Sequence, residues 1–418
     1  MQKIRLRPRA ENIDITIDLP RSKSESNRAL ILQQLAKGVE ITGISTADDT
    51  QIMQACLAKT ADEDGVFRYH VGAAGTAMRF LTAFCATQVG KTFVLSGTER
   101  MHLRPIAPLV DALRQLGAAV EYIGEAGFPP LRISGKKLAG GAVNISGSVS
   151  SQYISALMLI APTLENGLHI ALTSPLVSAP YCAMTADMMR HFGAKVSISY
   201  QEISVENEPY QAQTWAVESD WSAASYWFSL AALSHYRCRI ALRGLKETSL
   251  QPDAAIVALY KKLGVNTVFN REGIIIQKNT NFALPNYLQY SFEACPDIAQ
   301  TFACTCAGLG LKANLRGLQT LPIKETNRIA ALQTELKKNN VISTATENSL
   351  QLRAAKLLPS PHAIATYDDH RMAMAFAPLA LCLPSLDIEK PNVVAKSYPH
   401  FWDDMAKVFD IETLATTV

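Results

Sequence analysis

The hydrophobic pattern of this chain repeats with a long period. Four amphipathic segments predict helices that end in glycine or asparagine, and each runs into a short stretch that predicts a strand. The helix ends follow one another at intervals of about 70 to 76 residues, long enough for a whole βαβαββ unit. Asp49–Ala61 and Trp402–Phe409 are weaker first and last copies. The four helix and strand pairs are 109–117 with 118–122, 185–193 with 194–198, 255–264 with 265–268, and 329–340 with 341–343.

A second class of helix alternates with the first and is apolar on most sides, which is typical of a buried helix. Because six such helices come from separate repeats, we predict an α/β protein of two domains. Each domain is expected to contain three βαβαββ repeats, with the helices inside and the sheets outside. The six helices are predicted to begin near Ser26, Ala74, Ser150, Ser222, Pro296 and Asp369.

The turns that begin these helices carry the candidate chemistry. The first, Ser22–Arg28, lies between a strand pattern at 13–19 and an apolar helix at 29–35. The backbone N–H groups and the dipole at a helix start favour an anion. An ordinary helix cap explains one such turn on its own. Since several of the six starts carry a cation or paired hydroxyls, the pattern favours a positive site for a phosphorylated ligand.

Composition excludes several classes of protein. The 418 residues include 40 Lys and Arg against 37 Asp and Glu, so the net charge of +3 argues against a nucleic-acid or membrane-surface binder. Without an apolar signal segment or a run of membrane-spanning length, we expect a cytoplasmic protein. The eight cysteines form no C-x-x-C pair and read as reduced core thiols. The eight histidines show no H-E-x-x-H pattern, so no metal site is expected.

The motifs at the helix starts together resemble those of the 5-enolpyruvylshikimate-3-phosphate synthase family of enolpyruvyl transferases. Each motif alone is weak, but their joint occurrence in this order along the whole chain is specific. The matching segments are Leu19-Pro20, Ser22-Lys23-Ser24, Asn27–Leu30, Ala74–Arg79, Arg104–Ile106, Ser150–Gln152, Pro180-Tyr181, Pro296-Asp297, Lys324–Thr326 with Arg328, Asp369–Met374 and Ala395-Lys396.

The resemblance implies a fold and a reaction. The fold would be the inverse α/β barrel of such enzymes, with one domain from 1–19 and 220–418, a second from 20–219, and the active site in the cleft between them. The enzyme would transfer the enolpyruvyl group of phosphoenolpyruvate to the 5-hydroxyl of shikimate 3-phosphate, releasing phosphate by addition and elimination. This is a shikimate-pathway step toward chorismate and the aromatic amino acids. It implies no cofactor, and we expect a monomer whose partners are these two substrates.

The resemblance also assigns roles to individual residues. Asp297 and Glu325 would be the acid and base, with Lys23 sharing the proton transfers. The contacts to shikimate 3-phosphate would come from Lys23, Ser24, Arg28, Ser150, Ser151, Gln152, Ser178, Tyr181, Asp297, Thr320 and Lys324. The contacts to phosphoenolpyruvate would come from Lys23, Gly75, Arg104, Gln152, Arg328, Arg371 and Lys396.

The residue types fit these roles on chemical grounds. A guanidinium donates two parallel hydrogen bonds to a carboxylate or phosphate, so arginines suit an anionic substrate. Hydroxyls and amides can read a polyol ring. Two carboxylates in a dry site can hold different protonation states, so one accepts a proton while the other donates. At Gly75 the missing side chain lets the backbone approach a ligand.

Five positions depart from the usual pattern of the family. Ala73 and Thr320 stand where an asparagine is common, and Arg21 stands where a glycine is common. Asn327 replaces a common aspartate, and Asp368 replaces a common asparagine. These departures concern the fine geometry of substrate contacts rather than the reaction.

Two other functions compete with this interpretation. The related transferase that acts on a UDP-amino sugar uses a cysteine in the loop before the clamp arginine, and the corresponding loop here, 97–103, contains none. A non-catalytic scaffold that binds anions would gain nothing from Asp297 and Glu325. A turnover assay with each acceptor would separate the three functions.

Overall fold

A computed structural model describes residues 2–148 and 150–414 of the chain. The chain divides into two compact units, Met1–Pro20 with Glu218–Val418, and Arg21–Val217. The boundaries expected from the sequence lay beside residues 20 and 220. In the described part of the chain, no helix is both long and apolar enough to span a bilayer.

Within the described residues the strands alternate with the helices along the chain. The strands are β1 (Lys3–Pro8), β2 (Ile13–Asp18), β3 (Glu40–Thr42), β4 (Val66–His70), β5 (Thr92–Ser96), β6 (Ala119–Tyr122), β7 (Leu131–Ser134), β8 (Gly141–Ile145), β9 (Leu168–Leu172), β10 (Val196–Ile198), β11 (Glu202–Val205), β12 (Thr214–Ala216), β13 (Cys238–Arg243), β14 (Val265–Asn270), β15 (Gly273–Lys278), β16 (Tyr287–Ser291), β17 (Lys312–Arg316), β18 (Ser343–Thr346), β19 (Ser349–Leu352), β20 (Leu386–Glu389) and β21 (Phe409–Leu414). The helices are α1 (Lys23–Leu35), α2 (Asp48–Ala58), α3 (Gly75–Ala86), α4 (Glu99–His102), α5 (Ala107–Gln115), α6 (Ser151–Ile160), α7 (Ala179–His191), α8 (Trp221–Leu233), α9 (Ile256–Lys261), α10 (Ala299–Gly308), α11 (Arg328–Lys338), α12 (His370–Phe376) and α13 (Phe401–Met405).

One pattern of strand pairing recurs in both units. In the sheet β4-β5-β7-β6, the first two strands are parallel, and the closing hairpin pairs antiparallel to the second. The sheets β8-β9-β11-β10, β2-β13-β15-β14 and β16-β17-β19-β18 repeat this order. Each is a βαβαββ unit, so the predicted repeat is confirmed in four copies.

Two further copies are modified. In the sheet β20-β1-β21, the start of the chain supplies β1, which takes the place of the last strand of the repeat. The first strand of the repeat is reduced to one parallel bridge between Ile364 and Ile388. The sheet of β12 and β3 has two parallel strands and lacks the closing hairpin. After α2, the short polar segment 59–65 leads directly to β4, which leaves no chain for a strand pair.

The six predicted apolar helices are α1, α3, α6, α8, α10 and α12, and they form the interior of the units. In α8 every residue from Ala223 to Leu233 is buried. In the unit that contains the chain start, α10 packs against both α8 and α12, and in the other unit α6 packs against both α3 and α7. The sheets cover these helices, so the prediction of helices inside and sheets outside is confirmed.

Prolines end two of the buried helices. The apolar run 372–383 predicts one helix, and this prediction is wrong: α12 ends at Phe376 and continues as a 3-10 segment, Ala377–Cys382. Pro378 lacks the N–H group that an α-helix would need there. Likewise, α6 ends at Ile160 and a 3-10 turn follows, because Pro162 interrupts the helix.

The position of β1 in the middle of its sheet yields a test of the fold. Leu6 is fully buried and lies opposite Leu386 on one side and Ile411 on the other. We expect Leu6→Ala to lower the free energy of unfolding by about 3 kcal/mol, because it leaves a cavity between three strands.

Arg7→Ala is the matched control, since its exposed ion pair with Glu412 is worth less than about 1 kcal/mol. Denaturant unfolding, monitored by circular dichroism, measures both variants. Equal losses would contradict the central position of β1.

Candidate active site

In the unit Arg21–Val217, the N-termini of the buried helices meet. The side-chain amide of Gln152, at the start of α6, donates to the hydroxyl of Thr76, at the start of α3, over 3.2 Å. The thiol of Cys182 in α7 donates to the carbonyl of Ser151 over 3.7 Å. The helix starts that carried the candidate residues are therefore neighbours in space.

The helix starts are capped in different ways. The Ser150 hydroxyl accepts a hydrogen bond from the backbone N–H of Gln152, as expected of a cap. No described side chain caps the start of α3 at Ala74. Ser178, which precedes α7, is buried with φ at +54°, a left-handed conformation that is uncommon for a residue with a side chain. Such strained residues concentrate at functional sites.

Lys23 opens α1 and is held by an internal partner. Its ammonium nitrogen lies 3.0 Å from the Oδ2 atom of Asp49 in the first turn of α2, and both side chains are largely buried. The neighbouring Ser24 is half-buried. A largely buried ammonium with an acidic partner has a fixed position, which a flexible surface lysine lacks.

Arg104 lies directly against the start of α3. A Cβ atom added to Gly75 would lie 2.7 Å from each terminal nitrogen of the Arg104 guanidinium, so the glycine makes room for it. Arg79 donates to the carbonyl of Gly75 over 3.2 Å and to that of Pro105 over 3.0 Å. Arg79 thus ties α3 to the loop that carries Arg104, which is a structural role.

The guanidinium of Arg28 donates its hydrogen bonds to groups in the interior of the same unit. It donates to the Thr185 hydroxyl over 2.7 Å and to the carbonyl of Ser24 over 2.9 Å. It also donates to the Ser155 hydroxyl and to the backbone carbonyl of Tyr181. Burial lowers the pKa of Arg28 to about 10, so the side chain stays charged at neutral pH.

The unit that contains the chain start holds both predicted carboxylates. Asp297 follows Pro296 immediately before α10, and its Oδ2 atom lies 3.0 Å from a guanidinium nitrogen of Arg371. Its Oδ1 atom lies 3.4 Å from Arg328 and 3.7 Å from Lys324. Three cations from two helix starts and one loop therefore converge on Asp297.

Glu325 shares one of these cations. Its two oxygens lie 2.9 Å from Arg328 and 2.7 Å from the ammonium of Lys396. Arg328 also makes a 2.7 Å hydrogen bond to Asp369, whose carboxylate caps α12 by accepting from the N–H of Arg371. One guanidinium thus joins Glu325, Asp297 and Asp369.

The electrostatics of this cluster follow from its burial. The side chain of Arg328 is only 2% exposed. Burial alone would lower the pKa of Arg328, but the carboxylates of Asp369, Glu325 and Asp297 outweigh it and raise that pKa. The cation therefore stays charged in the interior because several anions compensate it.

A further carboxylate lies behind Arg371. The guanidinium of Arg371 is 3.3 Å from the Ser222 hydroxyl, which donates to the buried carboxylate of Asp253. Burial, followed by the charge of Asp297, raises the pKa of Asp253 to about 7. Asp253 thus gains or loses a proton near neutral pH next to the predicted site.

Thr320 lies on a 3-10 turn four residues before Lys324. Its hydroxyl is buried, and no described residue provides it with a hydrogen-bond partner. A buried hydroxyl without a partner is costly, and a bound ligand could satisfy it.

Within each unit the structure gathers the predicted residues around helix starts and the loops beside them. One unit holds Lys23, Ser24, Arg28, Gly75, Arg104, Ser150, Ser151, Gln152, Ser178 and Tyr181, and the other holds Asp297, Thr320, Lys324, Glu325, Arg328, Arg371 and Lys396.

Four polar residues beside these side chains were not predicted from the sequence: Asp49, Ser222, Asp253 and Asp369. Asp369 belongs to the motif before α12 and had been noted only as a helix start. Ser222 likewise marked a helix start, but nothing in the sequence linked it to Asp253. Asp49 lies in an ordinary amphipathic helix pattern, so no local signal distinguished it.

The raised pKa of Asp253 predicts a dependence of stability on pH. Its ordinary value is 3.8 and its native value about 7, so the native state binds the proton more tightly than the unfolded chain. The contribution of Asp253 to stability therefore falls as pH rises through this window. We expect Asp253→Asn to gain stability relative to the wild type by about 2–3 kcal/mol between pH 5 and pH 8.

Denaturant unfolding at the two pH values measures this difference. The exposed residue Glu247 provides the control Glu247→Gln. A difference between Asp253→Asn and the wild type that stays constant with pH would refute the assignment.

Comparison with known proteins identifies the family. Residues 9–405 match the family model described as EPSP synthase (3-phosphoshikimate 1-carboxyvinyltransferase). The 3-phosphoshikimate 1-carboxyvinyltransferase of Bacteroides fragilis (strain YCH46) is 46% identical over 399 residues, which cover 94% of this chain and 95% of that protein. The enzyme of the same name from Haemophilus influenzae (strain PittGG) is 36% identical, with coverage of 98% and 99%.

Solved structures agree at the level of the fold. The EPSP synthase of Acinetobacter baumannii aligns with a TM-score of 0.76 at 21% identity, covering 99% of this chain and 100% of that one. The enolpyruvyl transferase NikO from Streptomyces tendae aligns with a TM-score of 0.71 at 14% identity, covering 99% of each chain. With its matching family model and close relatives, the chain belongs to the EPSP synthase family.

Proposed function

We propose that this chain transfers the enolpyruvyl group of phosphoenolpyruvate to the 5-hydroxyl of shikimate 3-phosphate, and that the residues gathered in its two units carry out the transfer. Family membership supports the reaction. The observation that carries the residue assignment is the sharing of Arg328 by Asp297 and Glu325, each of which has a further cation beside it.

The reaction requires three proton transfers: one from the acceptor hydroxyl, one to carbon three of phosphoenolpyruvate and one back from carbon three. The hydroxyl oxygen of shikimate 3-phosphate bonds to carbon two of phosphoenolpyruvate and loses its proton, while carbon three gains one. Carbon three then gives a proton back, and the bond from carbon two to phosphate breaks. We assign the hydroxyl proton to Asp297, the carbon-three proton to Glu325, and a share of the proton transfer to Lys23.

The phosphoenolpyruvate contacts are assigned to Arg104, Arg328, Arg371 and Lys396, with Lys23, Gly75 and Gln152. Three of these cations already pair with Asp297 or Glu325. An anionic substrate would compete for the same donors, since charge-assisted bonds from guanidinium groups to phosphate are strong. When Glu325 loses a cation to the substrate, its carboxylate holds a proton more readily, as delivery to carbon three requires.

The shikimate 3-phosphate contacts are assigned to Ser24, Arg28, Ser150, Ser151, Ser178, Tyr181, Thr320 and Lys324, with Lys23, Gln152 and Asp297. Two observations support this assignment: the Thr320 hydroxyl has no hydrogen-bond partner among the described residues, and the backbone of Ser178 is strained. Arg28 would have to exchange internal hydrogen bonds for bonds to the substrate, because protein oxygens already accept from its guanidinium.

The domain assignment and the cellular setting stay proposals as well. We propose that the segments 1–19 with 220–418 and 20–219 are the two domains, and that both act on the same pair of substrates. A monomeric state and a cytoplasmic location stay predictions from the sequence.

Glu325→Gln tests the catalytic assignment. The amide keeps the shape of the side chain but cannot carry the proton, so we expect kcat to fall by about 10² to 10⁴-fold. Binding of shikimate 3-phosphate should change little, because the lost group acts on the chemical step. Phosphate release measures turnover, and titration calorimetry measures binding.

Glu347→Gln, in the exposed turn after β18, is the matched control and should leave kcat unchanged. Near-normal turnover by Glu325→Gln would remove Glu325 from the catalytic pair. Phosphate release with a UDP-amino sugar acceptor in place of shikimate 3-phosphate would favour the related transferase instead.

Gly75→Ala tests the contact between α3 and Arg104. Its methyl group would lie 2.7 Å from the guanidinium nitrogens, so Arg104 must move away from its position. We expect the KM for phosphoenolpyruvate to rise about tenfold, while the KM for shikimate 3-phosphate changes less.

Gly124→Ala is the control, because a Cβ atom there meets only Pro130 at an ordinary 3.6 Å. Steady-state kinetics of both variants decide the question. Equal KM values for phosphoenolpyruvate in Gly75→Ala and the wild type would separate Gly75 from the site.

A further inference from the structure

The buried carboxylate of Glu335 lies outside the residues assigned so far. It belongs to α11, two turns after Arg328, and none of its surface is exposed. A buried carboxylate is retained only where hydrogen bonds and charges compensate it. Its partners therefore indicate what it holds in place.

Within the part of the chain that the structure describes, the hydrogen-bond partners of Glu335 outside α11 lie in the loop before α12. One oxygen of Glu335 accepts the backbone N–H of Ala365 over 2.9 Å, and the other accepts the Tyr367 hydroxyl over 2.7 Å. Lys338 lies 2.5 Å from the carboxylate and also donates to the carbonyl of Ala363 over 2.9 Å. The second half of α11 is thus fastened to residues 363–367.

That loop needs such fastening because its backbone is strained. Tyr367 and Asp368 are consecutive residues with φ at +54°, in the left-handed region. This conformation is costly for a residue with a side chain and persists only where its surroundings determine it. Besides Glu335, the bridge of Ile364 to Ile388 and the ion pair of Asp368 with Lys390 hold the loop.

The loop ends at the groups that contact the carboxylate cluster. Asp369 follows Asp368 directly, accepts from Arg328, and caps α12 through the N–H of Arg371. Helix α11 therefore holds this loop at two points, through Arg328 at its start and through Glu335 further along. The distance between these points along α11 fixes where Asp369 and Arg371 lie.

The Tyr367 hydroxyl is a dependable donor in this arrangement. Partial burial, followed by the hydrogen bond to Glu335, raises the pKa of Tyr367 to about 12. The phenol is therefore protonated throughout the neutral range.

We propose that Glu335 is a positioning residue for the enolpyruvyl transfer: it sets the loop 363–369 so that Asp369 and Arg371 lie where phosphoenolpyruvate is bound. This inference rests on the proposed role of Arg371 in binding that substrate. A purely stabilising contact would lower the unfolding temperature without changing affinity for one substrate.

Glu335→Gln keeps the shape of the side chain, but its amide nitrogen then faces the donor of Ala365 or of Tyr367. We expect kcat/KM for phosphoenolpyruvate to fall about tenfold through KM, because a small misplacement of a positioned group is costly. The KM for shikimate 3-phosphate should change less than threefold. Amide hydrogen exchange of residues 369–372 should become faster, because the cap of α12 loosens.

Tyr367→Phe is a milder variant that removes one hydroxyl from a side chain at the surface, and it should shift the same KM about two- to threefold. Gln333→Ala is the control, since Gln333 lies on α11 and donates to Ser343 rather than to the loop. It should leave the kinetics and the exchange of residues 369–372 unchanged.

The two measurements separate this proposal from the proposed function. If wild-type protein releases no phosphate from the two substrates, the function is wrong, and hydrogen exchange still shows whether Glu335 holds the cap of α12. Unchanged exchange at residues 369–372 in both Glu335→Gln and Tyr367→Phe would overturn the proposal. So would an unchanged KM for phosphoenolpyruvate in an active enzyme, or an equal effect of Gln333→Ala.

Discussion

The buried charge of Arg328 is the constraint on which the arrangement of helix starts in the unit that contains the chain start depends. An unpaired guanidinium would be far too costly in the interior, so the fold must bring carboxylates to it. They come from the 3-10 turn before α10, from the turn before α11 and from the cap of α12. Because these segments are far apart in the sequence, satisfying one cation fixes the relative positions of three helix starts.

The repeated unit explains why the polar groups lie at helix starts at all. Each βαβαββ copy sends a buried helix inward, and the copies in a unit direct their helix N-termini toward one another, as the contacts of Gln152 with Thr76 illustrate. Unpaired N–H groups and dipoles then accumulate in one place. Arg28 shows one consequence of this arrangement. Burial lowers the pKa of its guanidinium, which donates its hydrogen bonds to uncharged oxygens.

The repeat, the buried helices and most of the candidate site could be predicted from the sequence, because hydrophobic period and helix-start residues are local signals. Two kinds of feature could not be predicted: which side chains lie beside each other, and where an element departs from the hydrophobic period. Nothing near Asp49 or Asp253 indicates which side chain lies beside it, since the partners are distant in the sequence. The first strand β1 completes a sheet with β20 and β21, a permutation that periodicity cannot reveal. Pro378 was visible, yet the apolar run around it dominated the prediction.

The pairing of charges changes how the candidate site can work. In the unit that contains the chain start, four cations already pair with carboxylates: Lys324, Arg328, Arg371 and Lys396. An anion that binds these cations must therefore displace the carboxylates from them. Exchange couples anion binding to proton binding, because a carboxylate that loses its cation gains affinity for a proton. In the proposed reaction, the substrate that recruits Arg328 and Lys396 thereby prepares Glu325 as the acid that carbon three requires. Glu325 takes the proton back from carbon three as phosphate leaves, and the cations that then return to Glu325 favour release of that proton, which restores the ionised carboxylate for the next turnover.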